Sequence, residues 1–444
     1  MTILSGKSKK NESTNNETLL EAINLVKQLT KQLIGDSDDL DTVERGMTDV
    51  LQDIRKQATK ELIEEKDRKK CTCSCGCKMK SREKKSRSII GLVPYSIRRR
   101  VFVCPDCGQT RYPLDEIIGC LGRYTLEVKT AMTLFGQRLT FSESSHFMQK
   151  LLKVSVSHEL IQEFVEKIGK AIADDEKYDT ENLVNEDGSL RTPIQAEAKK
   201  NETAYMQMDG TMVHTREEGW KEVKNGMFFR HNDLAQTDKH HTRILGKEYY
   251  SVFNNGESSL EQFLKTTTQR AHDFCFHEYK NPVILADGAT WIWNYATKHH
   301  PYAIQILDYY HAEEYLGNAF QELIFESKLG QKYKKDYLFD LLEEGKVREI
   351  IDYFKTQPQT EKVSRLITYF ENNIGRMNYK EYRSKGFQIG SGSIESANKI
   401  ITHVRMKQAG MRWGKSNVQS IVSLRCKYLS GQWDSVEEVY LKAA

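Results

Sequence analysis

The chain has 444 residues, which is too long for one ordinary domain, so two or three folding units are expected. Hydrophobic residues make up 39% of the sequence and aromatic residues 10%, a composition that excludes a wholly disordered chain. No stretch approaches 18 consecutive apolar residues, and the first ten residues contain no apolar segment. We therefore expect neither a transmembrane helix nor a signal peptide, and a cytoplasmic location.

The formal net charge is only +4, but the basic residues are concentrated in two blocks. Residues 66–100 contain 13 Lys/Arg against 2 acidic residues, a local net charge of +11. Residues 376–427 contain 11 against 2, a local net charge of +9. Two such blocks indicate a polyanionic partner, because basic side chains that contact phosphates release condensed counterions. The alternative is two solvated, lysine-rich surfaces.

The N-terminal part of the chain is predicted to be helical after a polar tail. Residues 1–16 are polar and are predicted to be disordered. Apolar residues then recur at helical spacing within residues 17–70 and predict two amphipathic helices, separated by the polar segment 36–39. Such a helical hairpin is compatible with DNA binding, with dimerisation or with simple packing.

A cysteine cluster follows and predicts a zinc-ribbon-like module at residues 71–112. Six cysteines fall within 37 residues, in the runs CTCSCGC at 71–77 and CPDCG at 104–108. The second run has the spacing of a zinc knuckle, and four thiolates form a closed structural Zn²⁺ site. Cys104 and Cys107 supply one half of this site. For the other half we choose Cys73 and Cys75, because Cys75-Gly76 repeats Cys107-Gly108; a register that uses Cys71 or Cys77 remains open.

The rest of the chain divides by its periodicity. Residues 113–175 are predicted to form a helical DNA-binding or connecting region, and 176–203 a linker that marks the main domain boundary. Strands that then alternate with helices over 204–311 predict an α/β sheet covered by helices. Residues 312–385 are predicted to be helical, and residues 386–444 close the fold with a basic helix. The fold class is therefore multidomain α+β.

Acidic residues follow two of the predicted strands. Asp209 ends the run YMQMDG, and Asp287 ends the run VILADG. Carboxylates at the carboxyl ends of neighbouring strands lie at one edge of a sheet, and they need a cation such as Mg²⁺ between them. A third carboxylate, Glu395, lies where a Gly/Ser turn opens a helix, a place that suits a phosphate. Taken singly, an Asp-Gly pair is most often a turn, and an acidic residue in the first turn of a helix usually only complements the helix dipole.

Another acidic residue and a histidine follow the next apolar run. Asp308 and His311 are three residues apart at the start of a predicted helix, so they share one face and are within reach of a hydrogen bond. A capping aspartate with an unrelated histidine is the alternative.

Five segments together resemble bacterial insertion-sequence transposases of the ISKra type, in the Mutator-like group of DDE transposases. The resemblance extends from the cysteine region to about residue 433, and its segments are MDGTMVHT at 208–215, ADGATWIWN at 286–294, QILDYYHAE at 305–313, GSGSIESA at 390–397 and MKQAGMRW at 406–413. It implies an RNase H-like catalytic domain with an all-helical insertion before the last acidic residue. The crowded cysteine run at 71–77 departs from the family pattern.

The resemblance also assigns roles to the acidic residues. Asp209, Asp287 and Glu395 are expected to be the catalytic triad and to bind two Mg²⁺ or Mn²⁺ ions, with Asp308 and His311 as positioning residues beside them. The expected function is DNA cleavage and strand transfer of an insertion sequence. The expected partner is double-stranded DNA, both element ends and target, with a homo-oligomer on the DNA, no membrane, and a location at the bacterial nucleoid.

The basic blocks supply the expected DNA contacts. We expect Arg98, Arg99 and Arg100 of the zinc module to help recognise the element ends. After Glu395 the candidates are Lys399, Arg405, Lys407, Arg412 and Trp413, with Trp413 stacking on an unpaired base; a core position for Trp413 is the alternative.

Two other functions fit the same sequence. One is an RNase H-like, metal-dependent nuclease that cuts DNA without joining it. The other is a domesticated, transposase-derived DNA-binding protein without catalysis, which would need no divalent ion besides zinc.

Overall fold

The computed structural model describes residues 10–35, 39–118, 122–194, 197–237, 242–256, 259–325 and 327–442. The chain forms two compact units. The first contains residues up to Met132 together with Ser142–His158, and the second contains Thr133–Phe141 and Glu159–Ala443. No helix within the described residues is long and apolar enough to span a membrane.

The first unit begins with two antiparallel helices, α1 (Lys10–Ile34) and α2 (Leu40–Glu64). Residues 1–9 of the predicted disordered tail lie outside the described residues, but α1 starts at Lys10 rather than near residue 17. No Pro or Gly interrupts the polar segment, so the helix extends through it. The side chain of Asp39 caps α2 by accepting the backbone N–H of Thr42 at 2.9 Å.

An antiparallel sheet follows, made of β1 (Lys80–Ile90), β2 (Pro94–Val103) and β3 (Thr110–Arg111). The basic strand β1 pairs with β2 along its length, and the turn between them lies at residues 91–93. Three helices come next: α3 (Pro113–Ile118), α4 (Leu126–Gly136) and α5 (Phe141–Leu152).

The second unit is built on a five-stranded sheet within the described residues. Its strands are β4 (Lys200–Thr215), β5 (Gly219–Arg230), β8 (Lys247–Phe253), β9 (Tyr279–Ala286) and β10 (Ile304–Leu307). Their spatial order is β10-β9-β4-β5-β8. The strands β4, β5 and β8 pair antiparallel, whereas β9 runs parallel to both β4 and β10. A small hairpin of β6 (Leu234–Gln236) and β7 (Thr242–Ile244) is inserted between β5 and β8.

Helices precede, connect and follow these strands. They are α6 (His158–Leu183), α7 (Ser259–Asp273), α8 (Thr290–His299), α9 (Tyr309–Phe320), α10 (Lys328–Glu343), α11 (Val347–Lys355), α12 (Glu361–Asn373), α13 (Tyr379–Ser384), α14 (Gly392–Asn398), α15 (Val404–Met406), α16 (Lys415–Leu429) and α17 (Trp433–Lys442). A π-helical turn, Lys399–His403, joins α14 to α15. The helices α9 to α13 occupy the segment between β10 and α14.

The structure differs from the linker expected at 176–203. The helix α6 continues to Leu183, and β4 starts at Lys200. The second unit already begins at Glu159, so this segment lies inside a unit rather than between two. Glu176, which appears in sequence to start a polar linker, accepts hydrogen bonds from Arg270 at 2.6 Å and from Ser423 at 2.9 Å. These polar residues are therefore part of the contact between helices.

Arg425 on α16 lies fully buried in the second unit. Its guanidinium donates to the carbonyl oxygens of Ile401 at 2.6 Å and Gln137 at 2.7 Å, and also to that of Ile400. Burial lowers the pKa of Arg425 to about 10. The planar guanidinium thus satisfies the carbonyl oxygens of the π-helical turn, whose own hydrogen bonding is irregular.

Replacing Arg425 with Lys is expected to lower the free energy of unfolding by about 3 kcal/mol, because one ammonium group cannot satisfy three separated carbonyl oxygens. The exposed Arg412→Lys is the matched control. Thermal unfolding followed by circular dichroism measures both variants. Equal midpoints for the two variants would contradict the structural role assigned to Arg425.

Candidate active site and metal centre

Three aspartates lie at the same level of three adjacent strands. In the parallel pairs, Met206 of β4 is opposite Ile284 of β9, and Ala286 of β9 is opposite Leu307 of β10. Continuing this register by three residues from the first pair, and by one from the second, places Asp209, Asp287 and Asp308 side by side. Asp287 and Asp308 directly follow β9 and β10, whereas Asp209 lies within β4, which continues to Thr215, so the prediction that a strand ends at Asp209 is wrong. The sheet gathers the three carboxylates at the level where β9 and β10 end.

Asp209 is held by hydrogen bonds to both carboxylate oxygens. The backbone N–H of Gly210 donates to Oδ1 at 2.7 Å, and Nδ2 of Asn398 donates to Oδ2 at 2.6 Å. Burial raises the pKa of Asp209, and the nearby charge of Asp287 raises it further, against these two hydrogen bonds. The position of Asp209 is thus fixed, while its negative charge lacks compensation.

The hydrogen bond from Asn398 belongs to a buried chain of polar groups. Asn225 on β5 donates to Oδ1 of Asn398 at 2.6 Å, and Ser251 on β8 donates to Oδ1 of Asn225 at 2.6 Å. Every member is therefore oriented by the next, and Asn398 is left with its N–H₂ group aimed at Asp209. The sequence analysis did not identify Asn398 as a site residue. Its position three residues after Glu395 on the same helix could have indicated that its side chain also faces the site.

Asp287 directly follows β9 and is held by its own loop. Its Oδ1 accepts the backbone N–H of Ala289 at 3.1 Å, and its carbonyl oxygen accepts the hydroxyl of Tyr369 at 2.6 Å. Gly288 has a φ of +100°, and a Cβ there would come within 2.7 Å of the Tyr369 ring. The Asp-Gly pair is therefore required both by the backbone conformation and by the packing of α12 on this loop.

Glu395 lies in the first turns of α14, which packs against β4 and β5. Alternate side chains of β4 each bond to the segment 388–407. These pairs are Tyr205 with Gln388, Gln207 with Ser393, Asp209 with Asn398, and Thr211 with both His403 and Lys407. Because strand side chains alternate between faces, a single face of β4 fixes the whole segment that carries Glu395. The Glu395 side chain remains 53% exposed.

Asp308 links the start of α9 to the start of α14. It is buried, and its Oδ1 accepts the backbone N–H of His311 at 2.9 Å. Its Oδ2 accepts the backbone N–H of Ser391. The predicted hydrogen bond between the Asp308 and His311 side chains is thus replaced by a bond to the backbone of His311. The His311 ring instead places Nε2 4.0 Å from Oε1 of Glu395.

Asp308→Asn is expected to lower the midpoint of thermal unfolding by several degrees, which corresponds to about 1–2 kcal/mol. An amide oxygen still caps α9, but the amide N–H₂ group then faces the N–H of Ser391, so two donors oppose each other. Asp434→Asn, in the first turn of α17, is a control with the same charge change. Equal midpoints for the two variants would mean that the bond to Ser391 contributes nothing.

Tyr310 is an exposed aromatic residue at this site that sequence reasoning also missed. Its side chain is 63% exposed, and its ring covers Gly390, where a Cβ would come within 2.6 Å of the ring. The ring therefore requires glycine at the start of the Gly/Ser turn. The signal was present in the sequence, since Tyr310 lies between Asp308 and His311.

The predicted cysteine ligands form a tight cluster. The ligand atoms of Cys73, Cys75, Cys104 and Cys107 all lie within 4.8 Å of one another. Two of the Sγ–Sγ distances are 3.5 Å (Cys73 to Cys107) and 3.6 Å (Cys75 to Cys104). A tetrahedral zinc with bonds of about 2.3 Å requires sulfurs about 3.8 Å apart. The four cysteines could thus hold a structural Zn²⁺, and they are the four cysteines that the sequence analysis chose.

The two remaining cysteines of the run make other contacts. Sγ of Cys77 donates to Oδ2 of Asp106 at 2.6 Å, and this hydrogen bond raises the pKa of Cys77 to about 12. Sγ of Cys71 lies 3.6 Å from the sulfur of Met79. Within the four-sulfur cluster, a backbone hydrogen bond from Cys75 lowers the pKa of Cys73 to about 6. A backbone hydrogen bond with Gln109 lowers the pKa of Cys107, but hydrogen bonds with Cys73 and Cys104 outweigh it and raise that pKa to about 12.

The acidic residues form a looser group than the cysteines. Within the described part of the chain, no three of their carboxylates and histidines bring ligand atoms within 4.8 Å of one another. Burial and the nearby charge of Asp287 raise the pKa of Asp209, and Nε2 of His311 is 4.0 Å from Oε1 of Glu395.

The arginines predicted to contact DNA in the zinc module differ from one another. Arg99 forms an ion pair with Asp115 at 2.8 Å and lies over the ring of Tyr112. Arg100 forms an ion pair with the buried Asp67 at 3.3 Å. The side chain of Arg98 is exposed. Arg98 thus remains the most accessible of the three, whereas Arg99 and Arg100 stabilise the module.

Of the five residues after Glu395 that were predicted to contact DNA, two are buried, and the prediction is wrong for these two. Arg405 is fully buried, with its guanidinium 4.7 Å from the ring centroids of both Phe141 and Trp413. Trp413 is buried as well, and its indole N–H donates to the carbonyl oxygen of Met406 at 3.3 Å. Neither side chain can reach DNA. The prediction failed because the basic block contains both surface and core residues, and their spacing in the sequence does not distinguish the two.

The other three candidates stay accessible. Lys399 and Arg412 are exposed. Lys407 is partly buried, and its Nζ lies 2.9 Å from Oγ1 of Thr211 and 2.8 Å from Nε2 of His403. Burial lowers the pKa of Lys407. This ammonium group is therefore placed on the same face of β4 as Asp209, two residues further along the strand.

No family model matches the chain. The chain is similar to a UPF0236 protein in the vanSb 3′ region of Streptococcus gallolyticus. The two are 22% identical over 349 residues, and the alignment covers 74% of this chain and 69% of that protein.

Proposed function

We propose that the protein is a DDE transposase that cleaves the DNA ends of an insertion sequence and joins them to a target. One observation carries the proposal: the β4–β9 register brings Asp209 and Asp287 to one sheet edge. The helix that carries Glu395 packs on the same strand, β4. The sequence resemblance to ISKra-type transposases rests on five segments, three of which contain these residues.

The proposal includes an RNase H-like catalytic core. Such a core has three antiparallel strands followed by two strands parallel to the first, in the order 3-2-1-4-5. In chain order, β4, β5, β8, β9 and β10 have this order and these directions. The segment α9 to α13 then corresponds to the helical insertion before the last acidic residue, and α14 to the helix that carries that residue.

The proposal also includes two divalent ions, because the carboxylates present fit them. Burial and the charge of Asp287 raise the pKa of Asp209, and a bound cation relieves both effects. Asp209, Asp287 and Glu395 would hold the ions, which are Mg²⁺ or Mn²⁺. When bound, such ions activate a water molecule and stabilise charge on the phosphate oxygens. The cysteine cluster would hold a separate, structural Zn²⁺.

The residues of the chain hold the site in place during the proposed reaction. Water attacks a phosphodiester at the element end, and the freed 3′-hydroxyl then attacks a target phosphate. Asn398 fixes the orientation of the Asp209 carboxylate. Asp308 holds the turn before α14 in place, and so fixes the start of the helix that carries Glu395. His311 lies close enough to Glu395 to orient that carboxylate.

The exposed basic residues would contact DNA on either side of this chemistry. Lys407 lies next to the carboxylates, Lys399 and Arg412 are exposed, and Arg98 serves the zinc module in recognising the element ends. A homo-oligomer is proposed because transposition joins two ends to one target.

The test uses a plasmid that carries the gene with its native flanking DNA. Purified protein is incubated with it under Mg²⁺, and products are mapped by primer extension and by a strand-transfer assay. Breaks at fixed flanking positions, followed by joined products, are expected. Breaks without joined products would identify a nuclease. DNA binding without breaks under Mg²⁺ or Mn²⁺ would identify a DNA-binding protein without catalysis.

A further inference from the structure

The first three turns of α10 form an exposed surface that the triad and the basic blocks do not include. Residues 327–333 are all exposed, as are residues 335–337. Leu329, Tyr333 and Tyr337 are 63%, 67% and 49% exposed. Their spacing of four residues places them along one side of the helix. Exposed apolar groups aligned in this way are typical of a binding surface.

Lysines lie beside this apolar stripe. Lys328, Lys332 and Lys335 are exposed, and at spacings of four and three residues they share the neighbouring side of α10. Within the described residues, none of the three forms an ion pair with an acidic side chain. Residues 328–337 contain four lysines and one aspartate, a local net charge of +3.

The position of these lysines in the helix indicates an anionic partner. Cations near a helix N-terminus are unfavourable, because the backbone dipoles already give that end a partial positive charge. The side chain of Ser327 caps α10, so Lys328 lies in its first turn, and Lys332 and Lys335 follow in the second and third turns. A phosphate group bound there would offset this repulsion, whereas an apolar protein surface would not.

The exposed tyrosines of α10 indicate which kind of polyanion this surface binds. Nζ of Lys334 lies 4.2 Å from the ring centroid of Tyr353 on α11 and 5.1 Å from that of Tyr337. Lys334 therefore links the side of α10 that carries Tyr337 to α11. The Tyr333 side chain, one turn before Tyr337, is the more exposed of the two. Proteins that bind single strands combine basic side chains, which contact the nucleic-acid backbone, with exposed aromatic rings, on which unpaired bases stack.

We propose that the first three turns of α10 bind an unpaired DNA strand, with Lys328, Lys332 and Lys335 on its phosphates and Tyr333 stacked on a base. This inference rests on the proposed function, because it states that a second surface of the transposase binds DNA in its single-stranded form.

The test measures binding of a fluorescein-labelled 30-nucleotide single strand to the full chain by fluorescence anisotropy, without added Mg²⁺ and over a range of salt. Each phosphate contact on a single strand contributes about 0.7 to the slope of log affinity against log salt. Lys332→Gln/Lys335→Gln is therefore expected to lower this slope by about 1.4. The matched control is Lys167→Gln/Lys170→Gln, two exposed lysines with the same spacing on α6.

Tyr333→Ala is expected to weaken single-strand binding about fivefold or more, with duplex binding unchanged, and Tyr333→Trp is expected to restore it. A slope equal to that of the control would overturn the proposal, as would a Tyr333→Ala variant that changes the oligomeric state but not strand binding. Failure of the proposed function has a different signature. In that outcome the wild-type protein shows no metal-dependent cleavage, while these binding differences remain.

Discussion

Asp209→Asn is expected to abolish DNA cleavage while leaving DNA binding nearly intact. The substitution removes one negative charge from the group that would hold the divalent ions, and it keeps the shape of the side chain. Metal ions stabilise several kcal/mol of transition-state charge, so we expect a loss of about a thousandfold or more, since each 1.4 kcal/mol is a factor of ten. Asp287→Asn and Glu395→Gln are expected to have the same effect.

The measurement is the rate of cleavage of flanking DNA under Mg²⁺, with binding followed in parallel by a gel-shift assay. Glu361→Gln is the matched control, because this glutamate lies on α12 with its side chain 75% exposed and also loses one charge. Retained cleavage in any of the three triad variants would show that the assignment is wrong. A parallel loss in Glu361→Gln would indicate a general charge effect instead.

Cys104→Ser is expected to remove the bound zinc and unfold the module at residues 71–112. Structural zinc sites contribute apparent binding free energies of about 10–16 kcal/mol, which the metal supplies to folding. Cys104 is buried, and the module has a small core in which Cys73, Cys104, Met79 and Phe102 pack together. The hydrophobic cluster of Ile89, Ile97 and Leu114 is separate from this core, so the two cysteine loops are expected to unfold first once the metal is lost.

Cys77→Ser is the matched control. It lies in the same run but donates to Asp106 rather than to the four-sulfur cluster, so it is expected to retain zinc. Zinc content by mass spectrometry and protease resistance of residues 71–112 measure both variants. Equal zinc loss in the two variants would require a ligand set that includes Cys77. Full zinc content in Cys104→Ser would exclude the cluster as the binding site.

Much of the candidate site could be predicted from short segments of sequence. Asp209 and Asp287 each follow an apolar run; this run places Asp287 directly after β9, whereas β4 continues past Asp209 to Thr215. The zinc ligands were equally local, because a knuckle is defined by spacing over four residues and by the glycine beside it. Glu395 was found because a Gly/Ser turn opens its helix.

The predictions failed where a residue's environment comes from distant parts of the chain. Arg405 and Trp413 belong to a basic block in sequence, yet their neighbours include Phe141, more than 260 residues earlier. Nothing within a few residues of Arg405 indicates that it is buried. The polar segment after residue 175 appeared to be a linker for the same reason, since the partners of Glu176 lie on α7 and α16.

The sequence by itself therefore determined the chemical groups of this protein: the acidic residues after the strands, the cysteines with knuckle spacing and the helical segments. These depend on backbone periodicity and on turns, which act over a few residues. Only the tertiary structure decided that Asp308 holds Ser391, 83 residues later, that Asn398 orients Asp209, and that one face of β4 fixes the segment carrying Glu395. Burial and hydrogen-bond partners depend on which distant elements pack together, and local spacing does not encode that packing.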